Sequence, residues 1–239
     1  MDATANDAFF LDLDGTLIET TPTPEQAQAD SHVRGVLQRL TAATRGATMI
    51  VSGRSLASVD AILGLRICAA GQHGAEIRLL NPCLDDIRVE LDGYAELVGH
   101  CRQICRLFPG TRLEAKNPTI ALHLRRDDPR FTYLFDAVES LVEKSDGRVS
   151  CIVAHNVVEL RPAAVRKGLV VEGARLFKPF SGRRPVFFGN DLPDIDGFNT
   201  ARALGGFGVA VGPVLSGARY RLNSPFDVLS ALEKITGAQ

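Results

Sequence analysis

Five short apolar runs punctuate the chain, and each stops on glycine or a polar residue: Ala8 to Leu13, Ala47 to Val51, Arg66 to Ala70, Pro185 to Phe188 and Gly208 to Val211. Runs this short with little polar alternation are those of strands buried on both faces, as in a parallel sheet. Helical spacing fills the gaps. Val33, Val36, Leu37 and Leu40 repeat at three and four behind Ser31, the expected N-cap, and further helices are predicted from Ser55 to Leu63, Lys167 to about Phe177, up to Leu204, and Ser224 to Ile235. Strand then helix, repeated, specifies an α/β fold: a doubly wound, Rossmann-like parallel sheet whose chemistry belongs at the carboxyl ends of its strands.

The texture changes in the middle. Residues 75–161 hold strand-like segments (Ala75 to Leu80, Arg112 to Lys116, Thr119 to Leu124, Arg148 to Val153, Val157 to Leu160) and two strongly amphipathic helices, around Tyr94 to Phe108 and Phe131 to Val142. The expected organisation is a core of residues 1–74 and 162–239, interrupted by a small α+β cap domain of residues 75–161.

Composition narrows the partners. With 27 Lys+Arg against 28 Asp+Glu, the net charge of −1 argues against a broad basic surface, so no nucleic-acid partner is expected. No apolar stretch approaches the roughly 18 residues of a membrane span. The opening MDATANDAFFLDLD has no positively charged segment, so a cytoplasmic protein is expected, most simply a monomer. Five cysteines without a CxxC pair read as reduced thiols, and Cys101 and Cys105 fall on the apolar side of their helix.

The densest chemistry is Asp12-Leu13-Asp14-Gly15-Thr16. Alternation along an extended strand places both carboxylates on one side, where they converge and call for a divalent cation; hard oxygen ligands favour Mg²⁺, which also binds a phosphate oxygen. A bare Asp-x-Asp is more often a turn or a cap, but here an apolar strand precedes it and Gly-Thr follows.

That context resembles the haloacid dehalogenase (HAD) superfamily, whose phosphatases carry DxDGT after the first core strand. The resemblance implies that Asp12 is the nucleophile and that Asp14 is the acid for the leaving oxygen and then the base for water. Ser52 and Gly53 match the second motif, a hydroxyl and a main-chain N–H for the phosphoryl group, and Lys167 matches the phosphate-binding lysine of the third. The fourth departs from the family form GDxxxD. Asn190 holds the place of the first metal-binding Asp, so the metal site is expected to combine Asp12 and Asp14 with Asn190, Asp191 or Asp194; alternatively Asp191, Asp194 and Asp196 cap the next helix.

Taken in order, FFLDLDGTLIETTPTPEQ, SGRSLASVDAIL, AGQHGAEIR, VVELRPAAVRKG and GRRPVFFGNDLPDIDGFNTARALGG are similar to the trehalose-6-phosphate phosphatase family, with its type IIB cap. The implied partner is a small sugar phosphate, and the implied substrate contacts are Arg54, Gln72, His73 and Gly74 in the core and Lys116, His123, Arg125, Glu159 and Arg161 in the cap. His155 stands where the family often has lysine, which leaves a different sugar phosphate as an alternative. Asn190 leaves a weakened, phosphosugar-binding protein as another.

Overall fold

The computed structural model describes residues 1–21, 23–80, 85–154 and 156–237; Cys83 and His155 lie outside the described residues. In chain order the elements are β1 (Ala8–Leu11), α1 (Ser31–Ala43), β2 (Thr48–Val51), α2 (Leu56–Leu63), β3 (Cys68–Gly71), β4 (Glu76–Arg78), β5 (Ile87–Arg88), α3 (Tyr94–Leu107), β6 (Arg112–Ala115), β7 (Ile120–His123), α4 (Phe131–Glu143), β8 (Val149–Ala154), β9 (Val157–Pro162), α5 (Lys167–Ala174), β10 (Pro185–Gly189), α6 (Asp194–Ala203), β11 (Phe207–Val211), β12 (Ala218–Leu222) and α7 (Pro225–Thr236). They gather into two compact units, Met1–Ile87 with Arg166–Gln239, and Arg88–Val165.

The first unit is the doubly wound sheet. Its order is β12-β11-β10-β1-β2-β3-β4-β5, parallel from β12 to β3, with β4 antiparallel to β3. Each central strand is buried along its whole length, because alternate residues feed two different cores. Phe9 and Leu11 join the core that contains residues of α1, α2 and α7, whereas Ala8 and Phe10 join the one that contains residues of α5 and α6. β1 lies between β2 and β10, where the chain order reverses, the usual place for a site in such sheets.

The second unit has a four-stranded antiparallel sheet, β6-β7-β9-β8. Leu97, Val98 and Cys101 of α3 and Phe131, Leu134 and Val138 of α4 form a separate core with Ile120, Leu122, Val158 and Leu160. On β9 these apolar residues alternate with Glu159 and Arg161, which therefore take the sheet's other face. The described residues include no helix long and apolar enough to cross a membrane.

Three local readings change. β1 ends at Leu11, not Leu13, because the N–H groups of Thr16, Leu17 and Ile18 turn back to the Leu13 carbonyl at 3.3, 2.9 and 3.1 Å and pull the chain off the sheet. The N-cap of α1 is Asp30, whose carboxylate accepts the Val33 N–H, and Ser31 is already helical. The edge strands β5 and β12 had no counterpart in the sequence reading.

Candidate active site

Asp12 follows β1 directly, its N–H bonded to the Phe188 carbonyl of β10 at 3.0 Å. The side chain is buried, and its two oxygens face different groups. Oδ1 accepts from Lys167 Nζ at 2.7 Å, while Oδ2 accepts from Thr16 Oγ1 at 3.0 Å. Lys167 opens α5, and its ammonium also donates to Asp194 Oδ1 at 2.6 Å. The second oxygen of Asp194 accepts the N–H groups of Asn190 and Asp191 at 3.0 and 3.1 Å, which closes the turn after β10.

Charge and burial compete here. Burial pushes the Asp12 carboxyl up, Lys167 opposes the rise and Asp194 adds to it, for a net value of about 7. Burial also disfavours a charged Lys167, but the carboxylates of Asp12 and Asp194 outweigh it and keep the ammonium protonated.

Arg54 grips the Asp14 carboxylate with two parallel bonds, Nε to Oδ2 and Nη2 to Oδ1, both 2.7 Å. The Asp14 charge still adds to the rise at Asp12, and its main-chain carbonyl lies beside the Asn190 amide. With its nitrogen turned inward, the Asn190 amide donates to the Asp14 carbonyl at 2.9 Å, to Asp12 Oδ2 at 3.1 Å and to Thr16 Oγ1 at 3.3 Å. With its oxygen inward, it accepts from Thr16 Oγ1 at 3.3 Å and stands against two other oxygens.

Ser52 and Gly53 follow β2, the neighbour of β1, in a loop held from several directions. Ser52 Oγ accepts the Arg54 N–H at 3.1 Å, His73 N–H bonds the Ser52 carbonyl at 2.9 Å, and Gln72 N–H bonds the Arg54 carbonyl at 2.7 Å. Gln72 and His73 both adopt left-handed backbone, with φ of 48° and 59°, followed by Gly74. The His73 ring lies so close over Gly53 that a Cβ there would come within 2.8 Å of it. These residues thus shape the loop, chiefly through their main chain. Asp191 is exposed and uses its carboxylate on the N–H of Leu192, at 2.7 Å.

In the second unit, register places His123, Glu159 and Arg161 on the face opposite the helices, together with Arg112 and Glu114 of β6. Glu114, which the sequence reading passed over, organises this face: His123 Nε2 lies 2.8 Å from its Oε2 and Lys116 Nζ 3.2 Å from its Oε1. The Glu-x-Lys spacing on a period-two strand was the available signal. Burial lowers the His123 pKa despite the neighbouring Glu114. Arg125 lies beyond the end of β7 and pairs with Asp127 at 2.6 Å, largely in solvent.

The fold and the Asp12, Lys167 and Asp194 cluster define the class, a HAD-like hydrolase. A solved haloacid dehalogenase-like hydrolase from Bacteroides thetaiotaomicron shares the fold, with a TM-score of 0.70 and 17% identity over 95% of this chain and 98% of that one. The C-terminal domain of C. albicans trehalose-6-phosphate phosphatase does so with a TM-score of 0.81 and 22% identity, over 97% and 92% of the two chains. The family model for trehalose-phosphatase matches residues 10–227. In sequence, the chain is 34% identical to trehalose-6-phosphate phosphatase of Escherichia coli (strain K12) over 97% of its own length and 87% of the relative's. It is 31% identical to a probable trehalose-phosphate phosphatase of Sinorhizobium fredii over 87% and 78% of the two lengths. The chain belongs to the trehalose-phosphatase family, and is by that membership a phosphoric monoester hydrolase.

HAD membership implies catalysis with a divalent cation. Among the described residues no three His, Cys, Asp or Glu side chains gather as a metal cluster. The oxygens that do gather are of other kinds: the Asp12 carboxylate, the Asp14 carbonyl and, in one orientation, the Asn190 amide. The amide position lies 2.9 and 3.1 Å from the other two. All three are hard oxygen donors of the kind a divalent cation takes, with a single formal charge among them.

Proposed function

We propose that the chain hydrolyses trehalose 6-phosphate to trehalose and inorganic phosphate with Mg²⁺. The observation that carries this reading is Asp12 itself: a buried carboxylate with one oxygen on Lys167 and the other on the Thr16 hydroxyl. One Asp12 oxygen attacks phosphorus, the P–O bond to the sugar breaks, and an aspartyl phosphate forms. Asp14 gives a proton to the departing sugar oxygen. It then takes one from the water that cleaves the acyl phosphate and regenerates Asp12. Arg54 occupies both Asp14 oxygens, so one of them must leave Arg54 before it reaches the leaving oxygen.

Ser52 Oγ and Gly53 N–H donate to the phosphoryl oxygens, and Lys167 balances charge that builds up in the transition state. Asp12, the Asp14 carbonyl and Asn190 would hold Mg²⁺, which when bound neutralises phosphate charge. Asp194 keeps Lys167 in place. The unit Arg88–Val165 acts as the cap, shorter at its start than the expected 75–161 because β4 joins the large sheet, with Lys116, His123, Glu159 and Arg161 reading sugar hydroxyls. The free thiols of Cys68, Cys101, Cys105 and Cys151 support a reducing, cytoplasmic setting.

Phosphate release from trehalose 6-phosphate with Mg²⁺ tests the reaction, beside a panel of other hexose phosphates. The wild type should prefer the disaccharide, and Asp12→Asn should be inactive. Full activity in that variant would remove Asp12 as the nucleophile, and a low rank for trehalose 6-phosphate would reassign the substrate.

A further inference from the structure

We infer that Asp196 is a positioning residue for Lys167, acting by gripping the Gly168 main-chain N–H after it and the Arg166 guanidinium before it; this rests on the reading of Lys167 as the phosphate-binding cation. Asp196 Oδ2 accepts the Gly168 N–H at 2.6 Å, and Oδ1 accepts from Arg166 Nη1 at 2.9 Å. The residues immediately before and after Lys167 are therefore fastened to one carboxylate.

The need arises from how α5 begins. A helix leaves its first N–H groups without internal partners, and the N-cap residue, Arg166, makes no side-chain cap. Asp196 supplies that acceptor from α6. Asp194, in the same first turn, holds the Lys167 ammonium, so one turn of α6 secures the side chain with one carboxylate and the backbone with another. Gly168 permits this approach: a Cβ there would stand 2.7 Å from Asp196 Oδ2. The arm to Arg166 is shared with Glu172, which takes Nη2 at 3.1 Å, whereas Asp196 is the side-chain acceptor that meets Gly168 N–H. A shift of about 1 Å in a group that binds the reacting centre costs up to about 100-fold in rate. Asp196 removes that freedom from Lys167.

The test is a double-mutant cycle read by calorimetric binding of inorganic phosphate in the presence of Mg²⁺, using wild type, Asp196→Ala, Lys167→Ala and the double variant. Asp196→Ala should weaken phosphate binding about tenfold, the size of a lost charge-assisted hydrogen bond, and raise KM for trehalose 6-phosphate. Once Lys167 is alanine, the same substitution should change binding less than about twofold, because its effect passes through Lys167. Asp196→Asn, which keeps an acceptor for Gly168 N–H, should restore most of the affinity. Asp196→Ser, whose hydroxyl is one bond too short to reach Gly168 N–H, carries the cycle if the alanine variant does not fold, with the same losses expected. An Asp196→Ala protein that binds phosphate like wild type, or loses as much affinity with Lys167 absent as with it present, overturns the inference and leaves Asp196 a helix cap. If Lys167→Ala alone binds phosphate like wild type, the reading of Lys167 fails, and the inference with it.

Discussion

At Asp12, desolvation and charge act in opposite directions, and the result sets how the protein should take up a cation. Burial holds the carboxyl at about 7 in the absence of a metal, so below that pH a proton occupies the group that a cation needs. Mg²⁺ affinity should therefore rise by about tenfold per pH unit up to roughly 7 and level off above it. Calorimetric titrations between acid and mildly alkaline pH measure this, and a flat profile would contradict it. With its oxygen turned inward, Asn190 would lend the same site a ligand without charge. Asn190→Asp should lower the Mg²⁺ concentration for half-maximal phosphate release by about tenfold, and an unchanged requirement would mean that residue 190 does not face the ion. The identities of Asp12, Lys167 and Asn190 were legible in the sequence because each follows an apolar strand or opens a helix. The place of the Asp14 carbonyl beside the Asn190 amide was not, since alternation governs side chains and β1 ends at Leu11. For Glu114 the spacing to Lys116 was a signal, but its pairing with His123 depends on strand register, which the local sequence does not contain.

Among the elements, boundaries obeyed chemistry that acts over only three or four residues. Two serines cap as their positions suggest: Ser55 accepts the Ser58 N–H and Ser224 the Asp227 N–H. At α1 the neighbouring Asp30 and Ser31 are both good caps, and pattern alone does not choose between them; the structure uses the carboxylate. Asp30→Ala should therefore cost about 1 kcal/mol in denaturant unfolding, and Ser31→Ala much less. Equal losses would mean that the cap is shared. β12 escaped the sequence reading for a related reason. Its run ARYRL alternates charged residues with half-buried ones, and the apolar ring it contributes, Tyr220, packs edge-on against Phe207 of β11 at 5.2 Å between ring centroids. An edge strand gains its identity from its neighbour, which a single window of sequence does not contain.

For the whole molecule, the chief fact is that the cores are separate: the buried clusters of Met1–Ile87 with Arg166–Gln239 share no residue with that of Arg88–Val165. Leu134→Ala, at a fully buried position on α4, should cost about 2–5 kcal/mol within its own unit. Hydrogen exchange should report it as lost protection across β6, β7, β8 and β9, with β1, β2 and β10 protected as before; loss in both sets would show one cooperative unit. The order of the large sheet also bears on synthesis. Asp12 and Lys167 are 155 residues apart in sequence, and β1 pairs with β10 on one side. As the chain leaves the ribosome, Ala8–Leu11 emerges well before Pro185–Gly189 and waits for it. Throughout that interval a wholly apolar strand has an unpaired edge, so the nascent protein is more exposed to misassociation than the finished one, and chaperone demand should concentrate there.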